Sequence, residues 1–251
     1  MDEVRLDRLT AGAVGDGHYD KAILPLGATE FHGPHLPYGT DTIAADVLAG
    51  AFAKALGRTL VLPPLQFGVS YHHLAFAWTI SVRPETLSLV IRDVGDSLVR
   101  HGIRKFLLVS AHDGNAPVAN AAARQLSQDH GLSVAVFAGW QRKARAALAG
   151  RTAIDLDHAG QSETSLVLYA APQLVRFNLA STQRNERSDH PVDLVGSYAD
   201  IAPLGYSGDA AGATRAQGEA IVASLVGLVV PYLRLLDSHG WKGGSWLSEI
   251  E

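Results

Sequence analysis

The chain has 251 residues, 47% of them hydrophobic and 18% charged, with a formal net charge of −4. This balance suits one large α/β domain, expected to span residues 1–251, and leaves no nucleic-acid footprint, so no nucleic-acid partner is expected. Cysteine is absent, which excludes disulfides and thiolate metal sites, so any transition metal must be held by His, Asp and Glu.

The N-terminal MDEVRLDRLT is charged and lacks the apolar core of a signal peptide. AILPLG (22–27) reads as a strand and TIAADVLAGAFAKALG (42–57) as a helix closed by Gly57. TLVLPPL (59–65) reads as a second strand, and PETLSLVIRDVGDSLVRHG (84–102) as a helix with Pro84 in its first turn and Gly102 past its end. KFLLVSAH (105–112) is a third strand, NAPVANAAARQLSQDHG (115–131) a helix, and LSVAVFAG (132–139) a fourth strand. SETSLVLYAA (162–171) and ATRAQGEAIVASLVGLVVPYLRLLD (213–237) are further helices. Strands alternating with helices indicate crossover units and a mainly parallel sheet. Segments 66–83 and 176–212 are long and irregular, and such loops are often functional. The longest apolar stretch is interrupted by Gly227 and Pro231 and falls short of the roughly 18 uninterrupted residues a membrane span needs. The expected location is cytoplasmic, with no membrane partner.

Three segments carry candidate chemistry. In LPLGATEFHGPHLPYGTDTIAAD, Glu30 and His32 follow an apolar run and are separated by one residue, so in extended backbone both face one way. Asp41 lies just before a helical run and reads equally as a ligand or as a helix cap. His35 is a further imidazole in the same loop. Carboxylate and imidazole are ligands that zinc, manganese and iron accept. A loop past a strand end is also where open α/β sheets bind ligands. KFLLVSAH ends in His112, followed by Asp113, Gly114 and Asn115, either at the same crevice or as a plain turn. In DLDHAGQSETSLVLYAAP, Glu163 either complements the positive end of a helix or completes a metal cage, with His158 facing the substrate. Tyr71, His72, His73 and Trp78 either line a pocket or belong to the core.

Together the segments LGATEFHGPHLPYGTDTIAAD, FGVSYHHLAFAWTISVRPETL, LLVSAHDGN and DHAGQSETS resemble the creatininase family of metal-dependent amidohydrolases, in its order and spacing. The resemblance covers most of residues 20–170. It implies a three-layer α/β fold, a mainly parallel sheet between helices, with two divalent metal ions per subunit (zinc, manganese or iron) at the strand ends. By position, Glu30 and His112 would bind one ion, His32 the other, and Asp41 both. Creatininase itself has a glutamate two residues beyond the strand-end histidine. Here that position is Gly114, which cannot ligate, and Glu163 is the best substitute. His158 matches a substrate-contacting histidine that takes part in proton transfer, beside Glu163. His73, Trp78 and Asp113 are the candidate substrate contacts. Phe31, Ser110-Ala111, Asp113 and Trp78 depart from residues common in the family and leave the metal ligands intact.

The expected activity is hydrolysis of a C–N bond in a small cyclic amide or formamide by a metal-bridging hydroxide. The alternatives are ring-opening C–C hydrolysis of a cyclic diketone at the same site, or a non-catalytic metabolite-binding protein of this fold. Family analogy implies a homo-oligomer, with a hexamer among the forms. Trp241 and Trp246, in a Gly-rich tail, are either interface groups or fold back on their own subunit.

Overall fold

A computed structural model describes residues 3–152, 154–183 and 195–242. In chain order the elements are α1 (Ala11–Asp16), β1 (Lys21–Leu26), α2 (Thr40–Leu56), β2 (Thr59–Val61), α3 (Pro84–Arg100), β3 (Lys105–Ser110), α4 (Ala116–His130), β4 (Ser133–Phe137), α5 (Trp140–Ala147), α6 (Gln161–Ala170), β5 (Thr182–Gln183), β6 (Gly208–Asp209) and α7 (Arg215–Ser238). The main sheet is parallel with order β2-β1-β3-β4. β5 and β6 form a separate antiparallel pair.

β1 and β3 are continuous apolar runs because helices cover both faces of a parallel sheet. Alternation sorts their side chains. Ile23, Leu107 and Val109 face α2, α5, α6 and α7, whereas Ala22, Leu24, Leu26, Phe106 and Leu108 face α3 and α4. The result is the mainly parallel sheet that the strand–helix alternation implied, in the three-layer form that the resemblance implied. β2 is shorter than the run 59–65 because Pro63 and Pro64 carry no N–H for a ladder. Extended pairing returns only at an isolated bridge between Leu26 and Leu65. The sequence reading missed α5: only Trp140 and Ala144 of its WQRKARAA are buried, too thin a seam for a helical period to register.

α7 runs unbroken through Gly227 and Pro231. It is long and apolar enough to cross a membrane by length and composition. Its Ile221, Val222, Leu225, Val229, Val230 and Leu233 nevertheless pack into the core against α2 and α6, which makes it a core helix. Trp241 just beyond it is buried in the same core, with Nε1 donating to Asp237 at 2.9 Å. It is therefore no interface group of the exposed kind the tail composition suggested. Trp246 lies outside the described residues.

Asp237 also accepts from Lys105 Nζ at 2.8 Å and lies 3.2 Å from Lys21 Nζ, itself 2.9 Å from Asp20. This cluster ties the start of the sheet to the end of α7. Replacing Asp237 by Ala is expected to cost about 1.5–3 kcal/mol, the range for hydrogen bonds to charged groups, read by denaturant unfolding. Burial pushes the carboxyls of Asp20 and Asp237 up, but the lysines outweigh it and hold both below their ordinary values. Their contribution is complete above roughly pH 4 and is lost as pH falls through the lowered values. The Ala variant should accordingly lose less stability than wild type on acidification below that point.

Candidate metal centre and active-site cleft

The strand order reverses between β1 and β3, and open α/β sheets bind ligands in the crevice at such a switch point. The loop leaving β1 turns back at once. Glu30 N–H donates to Tyr38 O at 2.9 Å and Phe31 N–H to Thr79 Oγ1 at 3.1 Å. Gly27 is needed at the exit, because a Cβ there would collide with Thr42 at the start of α2. His112 follows β3, with its carbonyl held by Ser110 Oγ at 2.8 Å. Asn115 fastens the neighbouring segments, donating to Gly27 O and accepting from Val69 N–H, each at 2.9 Å. Glu163 projects from the first turn of α6, which Asp155 caps by accepting from the N–H groups of Gln161 and Ser162.

The five candidate ligands converge and are buried. Asp41 is not a helix cap: Gly39 holds that position and Asp41 sits within the first turn of α2. His32 Nδ1 lies 2.9 Å from the Glu30 carbonyl, so it carries the proton and donates. This leaves Nε2 facing Asp41 Oδ1 at 3.4 Å and Glu163 Oε2 at 3.7 Å. His112 Nε2 donates to Val69 O at 2.9 Å, which leaves Nδ1 at 3.1 Å from Asp41 Oδ2. Each imidazole thus gives one N–H to a backbone carbonyl and turns its lone pair inward, the usual second shell of a metal-binding histidine. Four groups of three could hold an ion; two of them, Glu30–Asp41–His112 and His32–Asp41–Glu163, share Asp41, and the other two, Glu30–His72–His73 and Glu30–His32–His158, share Glu30.

Glu30 Oε2, His32 Nε2 and Asp41 Oδ2 are buried without a hydrogen-bond partner among the described residues. Buried polar atoms are rarely left so. Lone pairs from three carboxylates and two imidazoles, aimed at common points, fit divalent cations. In the metal-free chain, protons substitute for them. Burial opposes a charge on His32, but Asp41 and Glu163 outweigh it and push its pKa up to about 10. His112 rises likewise to about 9 under Glu30 and Asp41. Burial raises Glu163 to about 8 against the pull of His32. Metal can bind only as the imidazole protons leave. Titration of metal-free protein with Zn²⁺ or Mn²⁺ should therefore release protons, with apparent affinity rising with pH up to about 9–10. A pH-indicator dye in weak buffer checks this.

A cleft of about 320 Å³ opens onto this centre, lined in part by Glu30, His73, His158, Glu163, Tyr198 and Arg142. His158 Nε2 donates to Phe31 O at 2.8 Å and lies 3.8 Å from Glu30 Oε1. Burial, then the neighbouring His32 and His73, holds the His158 pKa well below its ordinary value. The ring is neutral, with Nδ1 as its acceptor. His73 Nε2 lies 3.5 Å from Glu30 Oε1, and its ring stacks on Tyr198 with centroids 4.5 Å apart. Asp113 stands at the mouth, 3.5 Å from Arg142. Gly114 could carry no ligand here, since a Cβ would press into Val69 O and His112.

Trp78 is neither in the core nor in the cleft of its own chain. It is 82% exposed, with a left-handed φ of 61°, and is absent from the cleft lining. Its loop, pinned by Thr29–Ile80 and Gly68–Ser81 bridges, turns the indole outward. Sequence reasoning missed Gln141, whose Nε2 donates to Asp157 O at 2.9 Å and lies 3.3 Å from Glu163 Oε1. It also missed Tyr198. Both come from segments with no recognisable pattern.

The family model described as "Creatininase: Creatinine amidohydrolase" matches residues 8–233. A mycofactocin precursor peptide peptidase of Mycobacterium ulcerans is 33% identical over 217 residues, covering 81% of this chain and 80% of the relative. A creatinine amidohydrolase of Pseudomonas putida is 29% identical over 227 residues, covering 80% and 83%. Among solved structures, a creatinine amidohydrolase superposes with a TM-score of 0.77 at 26% identity, covering 93% of this chain and 97% of that one. A manganese creatininase matches with the same TM-score and identity, over 92% and 98%.

Proposed function

The chain belongs to the creatininase family of metal-dependent amidohydrolases, and on that premise we propose that it is a binuclear enzyme that hydrolyses the C–N bond of a small cyclic amide or formamide. One observation carries this reading: two ligand triads share Asp41 and hold unpartnered lone pairs at the switch point of the sheet. Glu30, Asp41 and His112 would hold one divalent ion, and His32, Asp41 and Glu163 the other. Bound there, such ions lower the pKa of water toward neutrality and polarise a carbonyl oxygen. The chain's own residues do the rest. His158, a neutral ring in the cleft lining beside the ligands, takes a proton as water attacks the amide carbon and delivers it to the leaving nitrogen. The C–N bond breaks and yields a carboxylate (formate from a formamide) and an amine. His73, stacked on Tyr198, and Asp113 at the mouth position the substrate. Arg142 and Gln141 close the far wall.

A cleft of about 320 Å³ lies at the lower end of small-molecule sites. That volume also admits the end of a short peptide, a second reading favoured by the similarity to mycofactocin precursor peptide peptidases. The test is a panel of lactams, formamides, short peptides and cyclic diketones with added Mn²⁺ or Zn²⁺. Turnover of lactams or formamides supports the first reading and turnover confined to peptides the second. Turnover confined to diketones contradicts both.

We also propose a homo-oligomer. Trp78 shares its loop with exposed Phe67, Leu74 and Ile80, and clustered exposed apolar groups mark interfaces. Sedimentation should give a multi-subunit mass, and Trp78→Asp should shift it toward monomer. A monomeric wild type at micromolar concentration contradicts this.

A further inference from the structure

His35 takes no part in either ligand triad, yet it is wholly buried beside them. Its Nε2 faces the Ala159 carbonyl at 3.0 Å and Thr164 Oγ1 at 3.1 Å. A ring nitrogen against a carbonyl carries the proton, so Nε2–H is the donor. Burial lowers the pKa of this ring and keeps it neutral. The ring packs edge-on against Tyr206, with centroids 5.5 Å apart. The His35 carbonyl accepts from Arg176 N–H at 2.8 Å, so the residue is fixed at backbone and side chain alike.

The peptide it grips is unusual. Ala159 is fully buried with φ 54°, a left-handed conformation that a residue with a Cβ adopts only when its surroundings impose it. That conformation turns Ala159 N–H onto Glu163 Oε2 at 2.7 Å while the carbonyl points the other way, to His35. The same turn carries His158. Gly114 leaves no room for a ligand on the β3 side, so Glu163, the one carboxylate that the second triad does not share with the first, depends on this turn.

We propose that His35 is a positioning residue for the second metal site: by holding the Ala159 carbonyl it keeps the 158–163 turn in the conformation that aims Glu163 at His32 and Asp41. The inference rests on the binuclear reading above, and its effect is selective. The Glu30–Asp41–His112 triad uses none of the turn, so its ion should be indifferent to His35.

The test is calorimetric titration of metal-free protein with Mn²⁺. Wild type should take up two ions. His35→Ala should weaken the second about tenfold or more, as loss of an outer-shell partner does, and leave the first unchanged. His35→Gln, whose amide N–H reaches a similar point, should restore most of the second affinity. An unchanged second affinity in His35→Ala overturns the proposal. So does equal weakening of both ions with no recovery in the Gln variant, which marks a general packing role. If His35→Ala does not fold, Thr164→Val removes a neighbouring hydrogen bond at nearly constant volume. It should then weaken the second ion selectively, and unchanged affinities overturn the proposal. A wild type that takes up one ion or none overturns the binuclear reading and this inference with it.

Discussion

Replacing Asp41 by Ala is expected to strip both ions from the chain and lower turnover by at least about 10³-fold, the factor that roughly 4 kcal/mol of lost stabilisation represents. The expectation follows from placement. Oδ1 lies 3.4 Å from His32 and Oδ2 3.1 Å from His112, so one carboxylate serves both triads. Its two imidazole neighbours hold its pKa far down against the opposing effect of burial, so it is charged throughout the working range. Asp41→Asn keeps the shape and loses the charge, and it should fail nearly as badly. Elemental analysis together with turnover checks both variants. A Glu163→Gln variant should differ from them by losing only one ion.

Replacing His158 by Ala is expected to lower kcat by roughly 10²–10⁴-fold, the range for a positioned proton-transfer group, while the chain keeps its full metal content. The separation from the first prediction is structural. His158 lies 3.8 Å from Glu30 and its ring is 4.2 Å from that of His32, yet its one N–H is engaged by the Phe31 carbonyl. It faces the cleft at the rim of the ligand set. Metal loss in step with activity in His158→Ala would place this residue among the ligands instead.

Much of this centre was legible in the sequence because it lies where strands end. Glu30, His32 and His112 each follow a continuous apolar run, and parallel topology brings those ends together. Asp41 was ambiguous, since an Asp ahead of a helix reads as a cap until the imidazoles on either side of it are seen. Glu163 lies more than a hundred positions from Glu30 and read equally as a partner of its own helix's positive end, until the family resemblance favoured the ligand reading. The contacts that orient the ligands were not legible. His35 against Ala159, Gln141 against Glu163 and Asn115 between Gly27 and Val69 are tertiary pairings with no local period or spacing. Trp78 was expected at the pocket of its own or a neighbouring subunit; within its own chain its left-handed backbone turns it outward. Trp241 was ambiguous because its Gly-rich neighbourhood hid a hydrogen bond to Asp237 that folds it onto α7.

The proposed function stands on two divalent ions sharing Asp41. Anomalous diffraction from crystals of Mn²⁺-loaded protein tests it most directly. Two peaks per chain are expected, one within the Glu30–Asp41–His112 triad and one within His32–Asp41–Glu163, with Asp41 touching both. A single peak, or a pair in which Glu163 takes no part, would contradict it.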